Sequence, residues 1–406
     1  MNLDQARELI LNGQLLSEAR FDEFRDGWLE GNRQADEGDD FIRWLVAERE
    51  LTDFQAKALL AGIPGPYVLG PYRVTARLTA GRLGDVYQAE HVEFQQAVSL
   101  KLFPASLNQD PELTMRLGRE ARVSLQVDSP YVVKTYQVGR IGGIPFIALE
   151  ALHGETLQQR LDREGRIPYI EACQLIQQAA RGLGYIHSLD IIHRDICPAN
   201  LWLSEQGIVK IMEFGAARDA LSYIDSLGDE EEDDLTVNST GNDVLGHYPY
   251  MSAQQAEDPH SANVSSDLYS LGCTFYHFLT GQVPFPGGNP MRQMLRHATE
   301  QARPLTDFDP EIPQSVQDVV SYLIAKRPED RYGSADELAE ALAVIIPLTA
   351  LPVAPSLAPD FVAWLQSVDE DDFGDTVDNP GDANWQQFVD WLYDPDSDIN
   401  KPLTEI

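Results

Sequence analysis

Positive charge is scarce in this chain. Lysine and arginine total 30 against 65 aspartates and glutamates, a formal net charge of −35. Such a field repels polyanions, so nucleic acid and anionic membrane surfaces are not expected partners. Cysteine is scarcer. Cys173, Cys197 and Cys273 are widely spaced and form no C-x-x-C pair, which argues against a disulfide framework or a zinc site and for a reducing cytosol. Long apolar runs are also missing. The opening MNLDQARELI has neither the basic segment nor the apolar core of a secretory leader. The longest uncharged run, residues 341–359, is broken by Pro347, Pro352, Pro355 and Pro359, against the needs of a membrane-inserted helix. The expectation is a cytoplasmic protein whose partners are proteins.

At 406 residues the chain has room for two or three units. Residues 1–66 show helical periodicity, and Thr52-Asp53-Phe54-Gln55 is a capping-box pattern ahead of an apolar run that Gly62 and Pro64 end. From Tyr72 to about Phe146 the runs YRVTARL, DVYQAEH, AVSLKLF and YVVKTYQV read as strands, with one helical stretch around Glu112 to Leu125. From Leu157 to Ile346 the pattern is mostly helical. Residues 347–359 form a Pro-rich linker and residues 360–406 an acidic tail with short helical motifs. Acidic runs at Asp229 to Asp234 and Asp369 to Asp372 read as solvated segments.

A pattern recurs three times: Phe41, Trp44 and Leu45; Phe361, Trp364 and Leu365; Phe388, Trp391 and Leu392. Spacing i, i+3, i+4 puts the three side chains on one helix face. Two readings stand open. These are core-facing helices, or the tail copies compete with the N-terminal copy for one groove, an intramolecular contact between tail and N-terminal module.

The middle of the chain carries an ordered set of motifs. Thr79, Gly81 and Gly84 punctuate a glycine-rich stretch that ends in Val86; Val98-Ser99-Leu100-Lys101 follows, with Glu120 beyond it. Then come Ile147 to Leu152, His193-Arg194-Asp195 with Asn200, Glu213-Phe214-Gly215, GHYPYMSAQQ from Gly246, the stretch Ser266 to Gly272, and Arg331. In this order they resemble the bacterial members of the Ser/Thr protein kinase family. The resemblance implies an α+β, bilobal fold over residues 67–346, with a β-rich N-lobe to about 150 and a helical C-lobe from about 151. It also implies ATP with Mg or Mn as cofactors. Thr79, Gly81, Gly84 and Val86 would cover the phosphates and Lys101, paired with Glu120, would hold them. The backbone of Glu150 and Leu152 would meet adenine, Asp195 would orient the substrate hydroxyl, and Asn200 and Glu213 would hold the metal. Asp267 would buttress the catalytic loop.

Departures from the family pattern cluster on the reaction path. Cys197 stands where the lysine that neutralises the transferring phosphoryl belongs, and loss of one such group typically costs about 10² to 10³ in rate. Glu213 replaces the metal-binding aspartate, and a misplacement of about 1 Å can cost on the order of 10². His247 replaces a bracing threonine, Thr79 the first glycine of the phosphate loop, and Gln254 the glutamate that pairs with Arg331. Trp202 occupies the floor position under adenine, where an indole can fill the pocket, stack on the base or turn into the C-lobe core. Arg194 would receive a phosphorylated Thr236, Ser239 or Thr240, or else the charge of the run Asp229 to Asp234. The expected function is a pseudokinase acting as a signalling scaffold or regulator, with phosphotransfer lost or very weak. The alternative is a low-activity Ser/Thr kinase that uses Glu213 as metal ligand.

Overall fold

The structure, a computed structural model, describes residues 1–31, 34, 36–65, 67–79, 84–103, 124–141, 144–212, 248–258, 261–346, 357–367, 387–388 and 391. They fall in two compact units. One comprises Met1–Thr114, Tyr136–Ala151 and Ser356–Ile406, the other Met115–Thr135 and Leu152–Pro355.

The first unit opens with four helices, α1 (Leu3–Asn12), α2 (Glu18–Glu30), α3 (Gly38–Ala47) and α4 (Asp53–Leu60). The capping box predicted at Thr52 forms: the Thr52 hydroxyl accepts the Gln55 N–H at 3.2 Å and the Gln55 side chain accepts the Thr52 N–H at 3.1 Å. These bonds satisfy two of the donors a helix start leaves open. Six strands follow: β1 (Val68–Leu69), β2 (Tyr72–Thr79), β3 (Asp85–His91), β4 (Ala97–Leu102), β5 (Thr135–Ile141) and β6 (Ile144–Glu150). They form one sheet in the order β1-β2-β3-β4-β6-β5. The run YVVKTYQV becomes strand only from Thr135; before it, Val132 makes an isolated bridge to Ile211.

Alternation along the strands decides what each face meets. Tyr72, Val74, Tyr87, Ala89, Val98, Leu100, Phe146 and Ala148 share one core with Phe54, Ala58 and Leu59 of α4 and with Phe361 and Phe388 of the tail. Gln55, buried in the same helix, donates its amide to the Val74 carbonyl at 3.0 Å. The N-terminal helices and the tail segments therefore complete the hydrophobic core of the sheet. Val86 and Lys101, paired across β3 and β4, point the other way and are buried too. A last helix, α12 (Pro359–Ser367), belongs to this unit.

The second unit holds the three-stranded sheet β7 (Gly154–Thr156), β8 (Leu201–Ser204), β9 (Val209–Ile211). Its helices are α5 (Leu157–Glu164), α6 (Tyr169–Ser188), α7 (Ala253–Glu257), α8 (Val264–Thr280), α9 (Pro290–Thr299), α10 (Gln314–Leu323) and α11 (Ala335–Ile345). Helix α8 is buried on both sides: Leu268, Leu271, Phe275 and Leu279 enter the main core, while Tyr269 and Cys273 enter a smaller cluster with Tyr250 and Cys197. Its start is fixed by Asn263, whose side chain accepts from Ser265 and Ser266 N–H. The tail helix α12 spans Pro359–Ser367, so Pro359, expected to close the linker, instead opens a helix, where its fixed φ suits the first position. Among the described residues, no helix is long and apolar enough to cross a membrane.

Candidate functional site

The loop between α6 and β8 is built around one buried carboxylate. Asp267, in the first turn of α8 and 1% exposed, accepts the backbone N–H of His193 at 2.9 Å and of Arg194 at 2.7 Å. Its Oδ2 also meets His187 Nε2 at 2.9 Å, and because a carboxylate only accepts, that nitrogen carries the proton. Arg194 sits at φ +69°, an uncommon conformation for a residue with a side chain. Its N–H is tied by Asp267 and its carbonyl by the Gln255 amide at 2.6 Å, which offsets the strain. His193 is buried; Nδ1 accepts the Asp195 N–H at 3.2 Å, leaving Nε2 to donate to the Met212 carbonyl at 2.7 Å.

This framework aims Asp195. Asn200 Nδ2 donates to the Asp195 carbonyl at 2.8 Å and to its Oδ2 at 2.9 Å, fixing the carboxylate by a bond only five residues long. With both amide hydrogens used, Oδ1 is the acceptor Asn200 has left for a cation. A divalent ion would take that oxygen, so the donor set on this side fits Mg or Mn. Glu213, the other expected ligand, lies outside the described residues, as do Gly81, Glu120, His247, Thr236, Ser239, Thr240 and the run Asp229 to Asp234.

Cys197 is the departure that the structure explains best. It is 0% exposed and packs with Tyr250, Tyr269 and Cys273, with Ala199, Val283 and Ile324 around them. A cysteine in such surroundings behaves as a small apolar residue. Burial pushes the neighbouring Cys273 thiol up to about 12 and the Tyr250 phenol well above its usual value. All three cysteines are buried thiols outside any disulfide. The exchange of Gln254 for glutamate also has a visible outcome. Arg331 donates a long bond of 3.4 Å to Gln254 Oε1 but is held mainly by its bonds to the carbonyls of Ala325 at 2.8 Å and Ser265 at 3.0 Å.

Trp202 resolves one of its three alternatives. Strand alternation sends Leu201 and Leu203 toward the helical core, so Trp202 takes the opposite face of β8. It is 2% exposed, and its indole N–H donates to the His153 carbonyl at 3.3 Å, one residue beyond Leu152. The ring has not turned into the C-lobe core. It lies on the side of β8 that faces the chain following Leu152.

In the first unit, Gly84 is required by geometry: φ is +142° and a Cβ there would meet the Leu102 carbonyl oxygen at 2.1 Å. Thr79 ends β2, paired with Val86 after a register shift that follows Arg77. Asp85, the residue after Gly84, is held to Arg77 at 2.7 Å. Lys101 is 6% exposed with its ammonium 5.3 Å from the Phe103 ring centroid. Glu150 pairs with Val98 across β4 and β6, and Leu152 is buried in the second unit. Sequence reasoning missed His187 and Tyr250. His187 is an unremarkable histidine at a helix end until its partner eighty residues later is known, and Tyr250 acquires its role only by covering Cys197.

Comparison with known proteins agrees with this geometry. Residues 72–342 match the protein kinase domain family. The chain is 32% identical over 277 residues to serine/threonine-protein kinase PknB of Mycobacterium leprae, covering 67% of this chain and 42% of that protein. It is 30% identical over 274 residues to PrkC of Bacillus subtilis, covering 68% and 40%. The chain thus spans about two fifths of the length of these curated relatives. Among solved structures, the Mycobacterium tuberculosis PknI kinase domain is similar in fold, with a TM-score of 0.51 at 24% identity over 68% of this chain and 96% of that one. A catalytic loop tied through Asp267 and a family match across two thirds of its length agree: the chain belongs to the protein kinase domain family.

Proposed function

We propose that this protein is a pseudokinase-like scaffold: it keeps the kinase fold, transfers phosphate very weakly or not at all, and works in the cytoplasm by binding other proteins. The observation that carries this reading is Cys197. At the catalytic-loop position where the family has a lysine, a fully buried thiol packs against Tyr250, Tyr269 and Cys273 and offers no positive charge. A developing phosphoryl charge would lack that stabilisation, a loss of about 10² to 10³ in rate. The buried indole of Trp202 at the floor position supports it, because a side chain of that size leaves less room for a purine. The net charge of −35 favours protein partners over nucleic acid.

A second reading, a low-activity Ser/Thr kinase, is favoured by the Asp195 and Asn200 geometry, which is ordered for chemistry. Thermal-shift titration with ATP, with and without Mg²⁺ or Mn²⁺, followed by a phosphotransfer assay against Asp195→Asn, separates the two. The expected result is transfer no higher than in the Asp195→Asn control. Transfer above that control, lost on substitution, would overturn the scaffold reading in favour of the second.

A further inference from the structure

The three Phe-x-x-Trp stretches occupy three different seats in the first unit. In α3, Phe41 and Trp44 pack on Trp28 at 5.6 and 5.5 Å between ring centroids. In the tail, Phe388 lies 5.4 Å from Tyr67 and Trp391 5.4 Å from Phe54. The seat of α12 is the most complete. Phe361 is 0% exposed and lies 5.5 Å from His91, 5.9 Å from Phe94 and 5.8 Å from Tyr136. Trp364 closes on His91 at 4.3 Å and on Phe94 at 5.9 Å.

That seat is built by the sheet. His91 ends β3, its ring is braced at 5.4 Å by Tyr72 of β2, and its Nδ1 accepts the Phe94 N–H at 3.4 Å, which sets the turn into β4. Gln96, at the far end of that turn, accepts the N–H of Ala358 at 3.4 Å and so receives the start of the helix. The occupant has nine residues, too few to be a stable helix alone in water. Its order comes from the seat, and its anchors at i and i+3 are the pattern by which a groove recognises an amphipathic helix. None of these residues belongs to the catalytic loop, so the seat is independent of whether phosphate is transferred.

We propose that the aromatic seat of His91, Phe94 and Tyr136 is a recognition site for a Phe-x-x-Trp helix, filled here by the chain's own residues 359–367 and exchangeable with the same helix of a second copy. A tethered occupant acts at an effective concentration on the order of millimolar. It therefore masks the site from any occupant in trans until it lets go.

The test uses full-length chains and a labelled peptide of residues 357–367. The Phe361→Ala, Trp364→Ala double variant has an empty seat and binds the peptide at least about tenfold more tightly than the unaltered chain does. Adding Phe94→Ala to that variant removes the gain. In the complementary experiment, the double variant is mixed with a Phe94→Ala chain, whose own α12 is unseated, and light scattering records a gain in mass that neither shows alone. Equal peptide binding by the folded double variant and the unaltered chain would overturn the site, and no gain on mixing would overturn exchange between copies. If the double variant fails to fold, hydrogen exchange of the Phe94→Ala chain decides: α12 amides lose at least about tenfold in protection, and unchanged protection would overturn the proposal.

Discussion

Asp267→Ala should be among the most damaging single substitutions in the helical unit. The carboxylate, itself 1% exposed, takes the N–H groups of His193 and Arg194 and the ring of His187 at 2.7 to 2.9 Å. Two of the three donors are backbone groups that cannot turn elsewhere. Each buried donor left without an acceptor costs about 1–3 kcal/mol, and bonds to a charged acceptor lie at the upper end. Three such donors sum to about 3–9 kcal/mol, against a typical total stability of about 5–15 kcal/mol for a domain. Arg194, at φ +69°, also loses one of the two ties on its peptide groups, so the loop should shift as well as weaken. Asp267→Asn keeps the volume and one accepting oxygen but turns an amide toward at least one N–H, and about 2–3 kcal/mol is expected. The assay is hydrogen exchange of the slowest α8 amides, which reads the opening of this unit alone. If both variants lie within about 0.5 kcal/mol of the unaltered chain, the range of an ordinary surface change, the buttress account is wrong.

Two further outcomes are expected. Burial pushes the His277 imidazole down from 6.5 to about 4, and its neutral Nδ1 pairs with the Tyr250 hydroxyl at 2.7 Å. Because the folded value lies below the unfolded one, this stability is complete above about pH 6.5 and is lost as pH falls toward about 4, up to about 3 kcal/mol. His277→Gln should flatten that part of a denaturation profile against pH; an unchanged slope would exclude His277 as its source. Gly84→Ala should destabilise the sheet unit by at least about 2 kcal/mol, since it combines a φ of +142° with a Cβ 2.1 Å from the Leu102 carbonyl. The control Gly62→Ala, at φ +75° with open space around it, should cost about 1 kcal/mol; equal melting shifts for the two would remove the close-approach argument.

Much of this was legible because it is local. The Thr52 capping box and the strands YRVTARL and DVYQAEH rest on residues within a few positions, so spacing alone implies their geometry. Motif order extended that legibility to the fold, and it placed Asp267 beneath the catalytic loop correctly even though its partners lie more than seventy residues away. Periodicity also showed that Phe361 and Trp364 share a helix face. What each face meets could not be read that way. That Cys197 is sealed by Tyr250, that Trp202 reaches the His153 carbonyl, and that three like-patterned stretches find three separate seats were decided by tertiary packing. The reason is physical: a sequence states which side chains leave water together, while the surface that receives them is assembled from segments far apart in the chain.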